Sequence, residues 1–127
     1  MKLRILDNSI RLRLSQTEVD VANSDGLVKG HVSFAGKNSF GYVLESSPAT
    51  VTLEANMSGS VLTVCVPQRE VKQWAESDRV SMRSEQILDD GQKLAILIEK
   101  DFACLAPREG EDESDMFPHP DAGKKTC

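Results

Sequence analysis

The chain has 127 residues, of which 39% are hydrophobic and only 5% aromatic, and it carries a net charge of −5. This length supports one small domain with an aliphatic core, so no disulfide or metal is needed to stabilise it. Three distant cysteines exclude a disulfide framework, and the absence of a long apolar run excludes a signal peptide and a membrane span. We therefore expect a reduced, cytoplasmic protein that does not associate with membranes.

The first elements are predicted to be two strands and a helix. Apolar and charged residues alternate over residues 1–6 and 10–14, and Asp7–Ser9 between them has the composition of a hairpin turn. Ser15 followed by Glu18 is a capping box, which predicts that a helix begins there.

Two further strands complete the first half, and the second half repeats its order. Alternation predicts strands around Val28–Phe34 and Phe40–Leu44. The second set of predicted elements comprises strands at 51–55 and 62–66, a helix from Pro67 to Ala75 and strands at 80–82 and 94–98. The two sets align at an offset of 52 residues, and Gln16 matches Gln68 in this alignment.

We predict an α+β domain from this pattern. It has about eight strands and two short helices, built by an internal β-β-α-β-β duplication with repeats at 1–46 and 50–100. Alternation of this kind favours a mainly antiparallel sheet with one buried face. The sheet is expected to be either open and curved or closed and barrel-like. We place the domain at 1–105, with Trp74 in its core.

An acidic, proline-containing tail is predicted at 106–127. Residues 109–115 hold five acids, and their composition does not provide enough apolar surface for independent folding. We expect this tail to fold back, so that its acids screen a basic hairpin and Phe117 inserts into an apolar notch.

Basic side chains on the first hairpin are the main candidate binding site. Residues two apart in a strand point to the same face, so these side chains are expected to form one cationic surface. The predicted anion-binding residues are Lys2, Arg4, Arg11 and Arg13, extended by Lys29 and His31. The alternative is a solvated strand face whose charges prevent edge pairing.

Acidic residues occupy polar faces elsewhere in the chain. They are Glu45, Glu54, Glu85 and Glu99, with Arg83 among them. If the sheet closes with this face inward, the charges would line a tunnel. This arrangement resembles the tunnel-type triphosphatases, in which inward Arg and Lys hold polyphosphate and Glu holds a metal. The Glu-x-Glu-x-Lys signature of that family is missing, because Lys2-Leu-Arg4 stands in its place.

Two weaker patterns suggest other sites. The segment Leu62–Val80 resembles one arm of the swapped-hairpin transcription regulators of the AbrB class, which would direct the basic hairpin toward DNA. Cys104 and His119, with Cys127 and nearby carboxylates, are of metal-ligand types, although their spacing matches no closed site.

The C-terminal region resembles a small bacterial protein family. The resemblance is carried by Ile98-Glu-Lys-Asp-Phe-Ala-Cys-Leu105, Glu111-Asp-Glu-Ser-Asp115 and Phe117-Pro118. Asn8–Leu14 and Trp74–Asp78 fit the same family, so the resemblance covers nearly the whole chain. It implies no activity, because none is known for that family.

The function expected from the sequence is non-catalytic binding or interaction. The sequence has no phosphate-binding glycine loop, no His-Glu-x-x-His and no nucleophile elbow. We expect no cofactor, and a protein or a small anion as partner in preference to nucleic acid. The oligomeric state is expected to be monomer or homodimer. The alternatives are anion or polyphosphate binding, a tunnel-type phosphohydrolase, and an AbrB-like nucleic-acid binder.

Overall fold

The computed structural model describes residues 1–103 and 114–118 and shows an α+β fold. Eight strands and two helices form in these residues, with one 3-10 turn at Ala35–Lys37. The strands and helices in chain order are β1 Lys2–Leu6, β2 Ser9–Leu14, α1 Gln16–Ser24, β3 Leu27–Ser33, β4 Ser39–Ser47, β5 Glu54–Ser58, β6 Val61–Pro67, α2 Gln68–Ala75, β7 Ser81–Ile87 and β8 Lys93–Lys100. No described helix has the length and apolar character needed to cross a membrane.

The strands form two separate four-stranded sheets. Sheet A has the order β1-β2-β8-β7, and sheet B has the order β3-β4-β6-β5. The central pair of each sheet is parallel and the outer pairs are antiparallel. Of the two predicted alternatives, the closed, barrel-like sheet is therefore wrong, because the strands divide between two sheets that do not close.

Each sheet combines one hairpin from each half of the chain. In sheet A, Ser9 of β2 lies opposite Ala95 of β8, and in sheet B, Val61 of β6 lies opposite Gly41 of β4. The first hairpins of the two halves also pair in equivalent registers, as do the second hairpins. Every position in one sheet therefore has an equivalent in the other, at an offset of 52 residues in the first hairpins (Ser9 and Val61) and 54 in the second (Gly41 and Ala95).

The hairpin turns and sheet edges follow the same equivalence. Asp7 and Gly59 begin equivalent turns, and both have a positive φ, of 48° and 59°. A side-chain hydroxyl also donates to the carbonyl just before each first strand. Tyr42 donates to the Met1 oxygen at 3.1 Å, and Ser84 donates to the Leu53 oxygen at 3.0 Å. Each of these hydrogen bonds connects one sheet to the residue that precedes an edge strand of the other sheet.

The two helices begin differently. Ser15 and Glu18 form the predicted capping box on α1, which satisfies backbone N–H groups that have no partner within the helix. The Asp115 carboxylate accepts a further hydrogen bond from the Thr17 hydroxyl at 2.9 Å. Pro67 occupies the N-cap position of α2, which has no side-chain cap. A backbone N–H at the start of a helix has no partner within the helix, so a proline there sacrifices no helical hydrogen bond.

One apolar core joins both sheets and both helices. It contains Leu12 and Ile98 of sheet A, Val64 of sheet B and Trp74 of α2, all almost fully buried. The burial predicted for Trp74 is confirmed, with an exposure of 0%. Its indole N–H donates to the Val80 carbonyl at 2.9 Å, so the one polar atom of this large side chain is satisfied.

Part of the C-terminal segment lies against this body. The Phe117 ring packs on the core, and its centroid is 5.8 Å from that of Phe102. The buried Lys100 places its Nζ atom 5.3 Å from the Phe117 ring centroid. Burial lowers the pKa of Lys100, an effect that Asp78 partly opposes. The predicted apolar contact of Phe117 is thus present, whereas the acids before residue 114 lie outside the described residues.

Candidate functional site

The basic hairpin forms one charged face, as the strand alternation predicts. Lys2 of β1 lies opposite Arg13 of β2, and Arg4 lies opposite Arg11. The neighbouring residues Leu12 and Leu14 are buried on the other side of the sheet, so the four cations face outward.

Strands β8 and β7 extend this outer face of sheet A. Leu97 of β8 lies opposite both Arg11 of β2 and Arg83 of β7. Arg4, Arg11, Leu97 and Arg83 therefore form one row across the four strands. The strands β2 and β8 belong to different halves of the chain. The row therefore depends on the pairing of a hairpin from the first half with a hairpin from the second half.

Ion pairs neutralise one side of the basic face but not the other. Glu99 accepts from Arg11 at 2.8 Å and from Arg13 at 3.0 Å. Lys2 lies 3.2 Å from Asp101. In contrast, Arg4 and Arg83 form no ion pair within residues 1–103 and 114–118. No described acidic group therefore neutralises these two guanidinium groups.

The Arg11–Glu99 contact leaves one donor unused. The Nε atom of Arg11 is buried and has no hydrogen-bond partner among the described residues. A buried donor without an acceptor costs free energy, so this arrangement of Arg11 is not fully satisfied. An anion entering the face would offer Arg11 additional acceptors.

A groove with a volume of about 650 Å³ opens on this face. Arg4, Arg11 and Arg83 line it, together with Glu85. Ser9 of β2 and Ala95 of β8, two small residues that lie opposite each other, also line the groove. Leu6 and Leu97 are further lining residues, and the lining is mainly apolar. The site therefore combines cations at its rim with an apolar floor.

Sheet B does not reproduce this site. Lys29 and His31 lie on β3, at positions equivalent to Arg83 and Glu85. The proposed extension of the basic face by Lys29 and His31 is therefore not found, because β3 belongs to the other sheet. His31 Nε2 and the Ser33 hydroxyl are 3.1 Å apart, both exposed, and no described residue orients the other ring nitrogen.

The outer face of sheet B carries acids around a cysteine. Glu54 and Glu45 lie on either side of Cys65 in the sheet register. Burial raises the pKa of the Cys65 thiol, and the two carboxylates raise it further. This environment disfavours the thiolate, which is the nucleophilic form of cysteine.

The structure does not support a charged tunnel. The inner faces of both sheets are mainly apolar, and Lys100 and Asp101 are the buried charged residues among those that the structure describes. The tunnel-type arrangement is therefore wrong. The proposed metal ligands Cys104 and His119 lie outside the described residues. Among residues 1–103 and 114–118, no group of His, Cys, Asp and Glu side chains has the geometry to hold a metal ion.

Comparison with known proteins identifies a family but no activity. The model of a family of unknown function, DUF7009, matches residues 1–121. The chain belongs to this family. No curated protein and no solved structure matches the chain.

The sequence pattern predicted Arg4 and Arg11 as site residues, but it did not predict the side of the groove that β7 and β8 form. Arg83 and Glu85 were recognised as polar-face residues, and Leu97 was placed in a strand. The alternation shows which residues share a face of one strand, but it does not show which strands are neighbours. The missing information was the parallel pairing of β2 with β8.

Proposed function

We propose that this protein is a non-catalytic binding module that takes up an anion in the groove on the outer face of sheet A. The observation that supports this most is that Arg4 and Arg83, which both line the groove, form no ion pair with any described residue. A guanidinium group presents several donors in a plane and binds carboxylate or phosphate through two parallel hydrogen bonds. Arg11 would exchange part of its contact with Glu99 for the bound anion.

The hydroxyl groups in the groove favour binding over catalysis. They belong to Ser9 and Ser84, and no histidine is among the described lining residues. Ser9 donates to the Leu6 carbonyl at 2.6 Å and Ser84 donates to the Leu53 carbonyl, so neither is held by a general base.

The test is calorimetric titration with inorganic pyrophosphate at low salt. We expect measurable binding that weakens as salt is added, because the attraction between exposed charges is screened. Arg83→Gln should weaken this binding about tenfold or more, since a charge-assisted contact contributes roughly 1.5–3 kcal/mol.

Lys29→Gln is the matched control for this experiment. It removes one positive charge at the equivalent position of sheet B, outside the groove. Affinity for pyrophosphate should be unchanged in Lys29→Gln. Absence of binding to the unmodified protein, or an equal loss in both variants, would contradict the proposal.

We include a location in the bacterial cytoplasm in this proposal. Cys65 is a free thiol, which is consistent with a reducing compartment. Fractionation of the native host followed by detection of the protein would test this, and recovery from the extracellular fraction would overturn it.

A further inference from the structure

We infer that the ligand is an organic anion with an apolar body and a hydrogen-bond donor at its far end, such as an ammonium group. This inference rests on the proposed function, because it describes the occupant of the same groove. Its basis is the distribution of chemistry over two neighbouring rows of the sheet. One row contains Arg4, Arg11, Leu97 and Arg83, and the next contains Leu6, Ser9, Ala95 and Glu85.

The apolar floor argues against a purely inorganic anion. Leu97 lies between Arg11 and Arg83, whereas Ala95 lies in the next row beside Glu85. Leu6 adds apolar surface from β1. Covering such surface releases water and favours binding by roughly 25 cal/mol per Å² of apolar area. An inorganic phosphate would contact the guanidinium groups and leave this floor exposed to water.

Glu85 selects for a donor at the other end of the ligand. It lines the groove and forms no ion pair within the described residues, although Arg83 is only two positions away on the same face. An ionised carboxylate only accepts hydrogen bonds. It therefore repels a second anionic group and attracts an ammonium or another donor.

The spacing of the two charged rows sets the size of the ligand. With about 3.3 Å per residue along a strand and 4.8 Å between strands, the Glu85 backbone lies about 7 Å from Arg83 and about 12 Å from Arg11. The side chains lean toward the groove, so an anionic head and a donor separated by several methylene groups or one ring would span this distance.

The experiment compares two ligands that differ only in the donor. Hexyl phosphate and 6-aminohexyl phosphate are titrated into the unmodified protein, and inorganic pyrophosphate serves as the probe without an apolar body. We expect 6-aminohexyl phosphate to bind at least fivefold more tightly than hexyl phosphate.

The same titrations in Glu85→Gln give effects of opposite sign. Removing the carboxylate should weaken 6-aminohexyl phosphate severalfold, because its ammonium loses a partner. It should strengthen pyrophosphate, because a repulsive negative charge is removed. Leu97→Ser should weaken hexyl phosphate and leave pyrophosphate unchanged.

These outcomes separate failure of the inference from failure of the proposed function. If pyrophosphate binds and responds to Arg83→Gln, but 6-aminohexyl phosphate shows no advantage over hexyl phosphate, the inference is overturned and the anion site stands. An advantage that persists in Glu85→Gln also overturns it. If pyrophosphate does not bind to the unmodified protein, both proposals are overturned.

Discussion

Leu12 of β2 and Val64 of β6 occupy equivalent positions in the two halves, and both are almost fully buried in the shared core. The residues just before them, Arg11 and Thr63, face solvent and differ in size and charge. The same contrast holds along both sheets. The comparison shows that core packing restricts the inner positions to apolar side chains, whereas the outer positions vary and can carry a binding site.

The largest effect on the free energy of unfolding is expected at a buried position on the helices. Trp74 of α2 is equivalent to Ala22 of α1 at the offset of 52, and both are fully buried. The same position therefore holds a large side chain on α2 and a small one on α1. Trp74→Ala should lower the free energy of unfolding by about 3–5 kcal/mol, because the cavity left behind cannot fully collapse.

Urea denaturation measures this loss, and Trp74→Phe is its control. Phenylalanine keeps most of the apolar volume but loses the hydrogen bond to Val80, so its cost should be nearer 1 kcal/mol. If Trp74→Ala costs less free energy of unfolding than Trp74→Phe, the Trp74 side chain does not fill the buried position described here.

An intermediate effect is expected at a charged position on the outer faces. Glu99 pairs with Arg11 and Arg13, whereas Glu45, its equivalent on sheet B, forms no ion pair among the described residues. Glu99→Gln should lower the free energy of unfolding by about 1 kcal/mol. Glu45→Gln should change it very little.

Salt concentration sharpens this second comparison. The effect of Glu99→Gln should shrink between low and high salt, because screening already weakens the ion pairs that this substitution removes. Equal effects of the two substitutions in urea denaturation would mean that the ion pairs on sheet A do not stabilise the fold.

The smallest effect concerns pH and the first turn of α1. Burial acts to raise the pKa of Glu18, but hydrogen bonds from the Met1 amino group and from Ser15 outweigh it and hold this pKa below its ordinary value. A lowered folded-state pKa stabilises the protein above the unfolded pKa of about 4.3, and this stabilisation is lost as the pH falls through the folded value.

The midpoint of thermal unfolding as a function of pH tests this expectation. Glu18→Gln should be less stable than the unmodified protein near pH 7, and the difference should disappear in the acid range below about 4.3. Asp20→Asn, which removes an exposed acid from the same helix, is the matched control. A Glu18→Gln difference that does not begin to shrink as the pH falls below about 4.3 would assign its effect to shape and not to charge.

Local patterns in the sequence determined the elements of this protein. Alternation of apolar and polar residues places side chains on one face or the other of a strand, so the eight strands and the outward direction of Arg4 and Arg11 could be predicted. The Ser15 and Glu18 capping box depends on neighbours three residues apart and was also predictable. These features rest on local backbone geometry, which does not depend on the remainder of the fold.

Only the tertiary structure decided which strands are neighbours. Pairing between β2 and β8 joins Arg11 to Leu97 across a long stretch of chain, and many alternative pairings would bury the same apolar faces. Division into two sheets follows from that exchange of hairpins, and it separates Lys29 from the basic face while bringing Arg83 to it. The groove is a property of strand order, and strand order is set by the packing of the whole core.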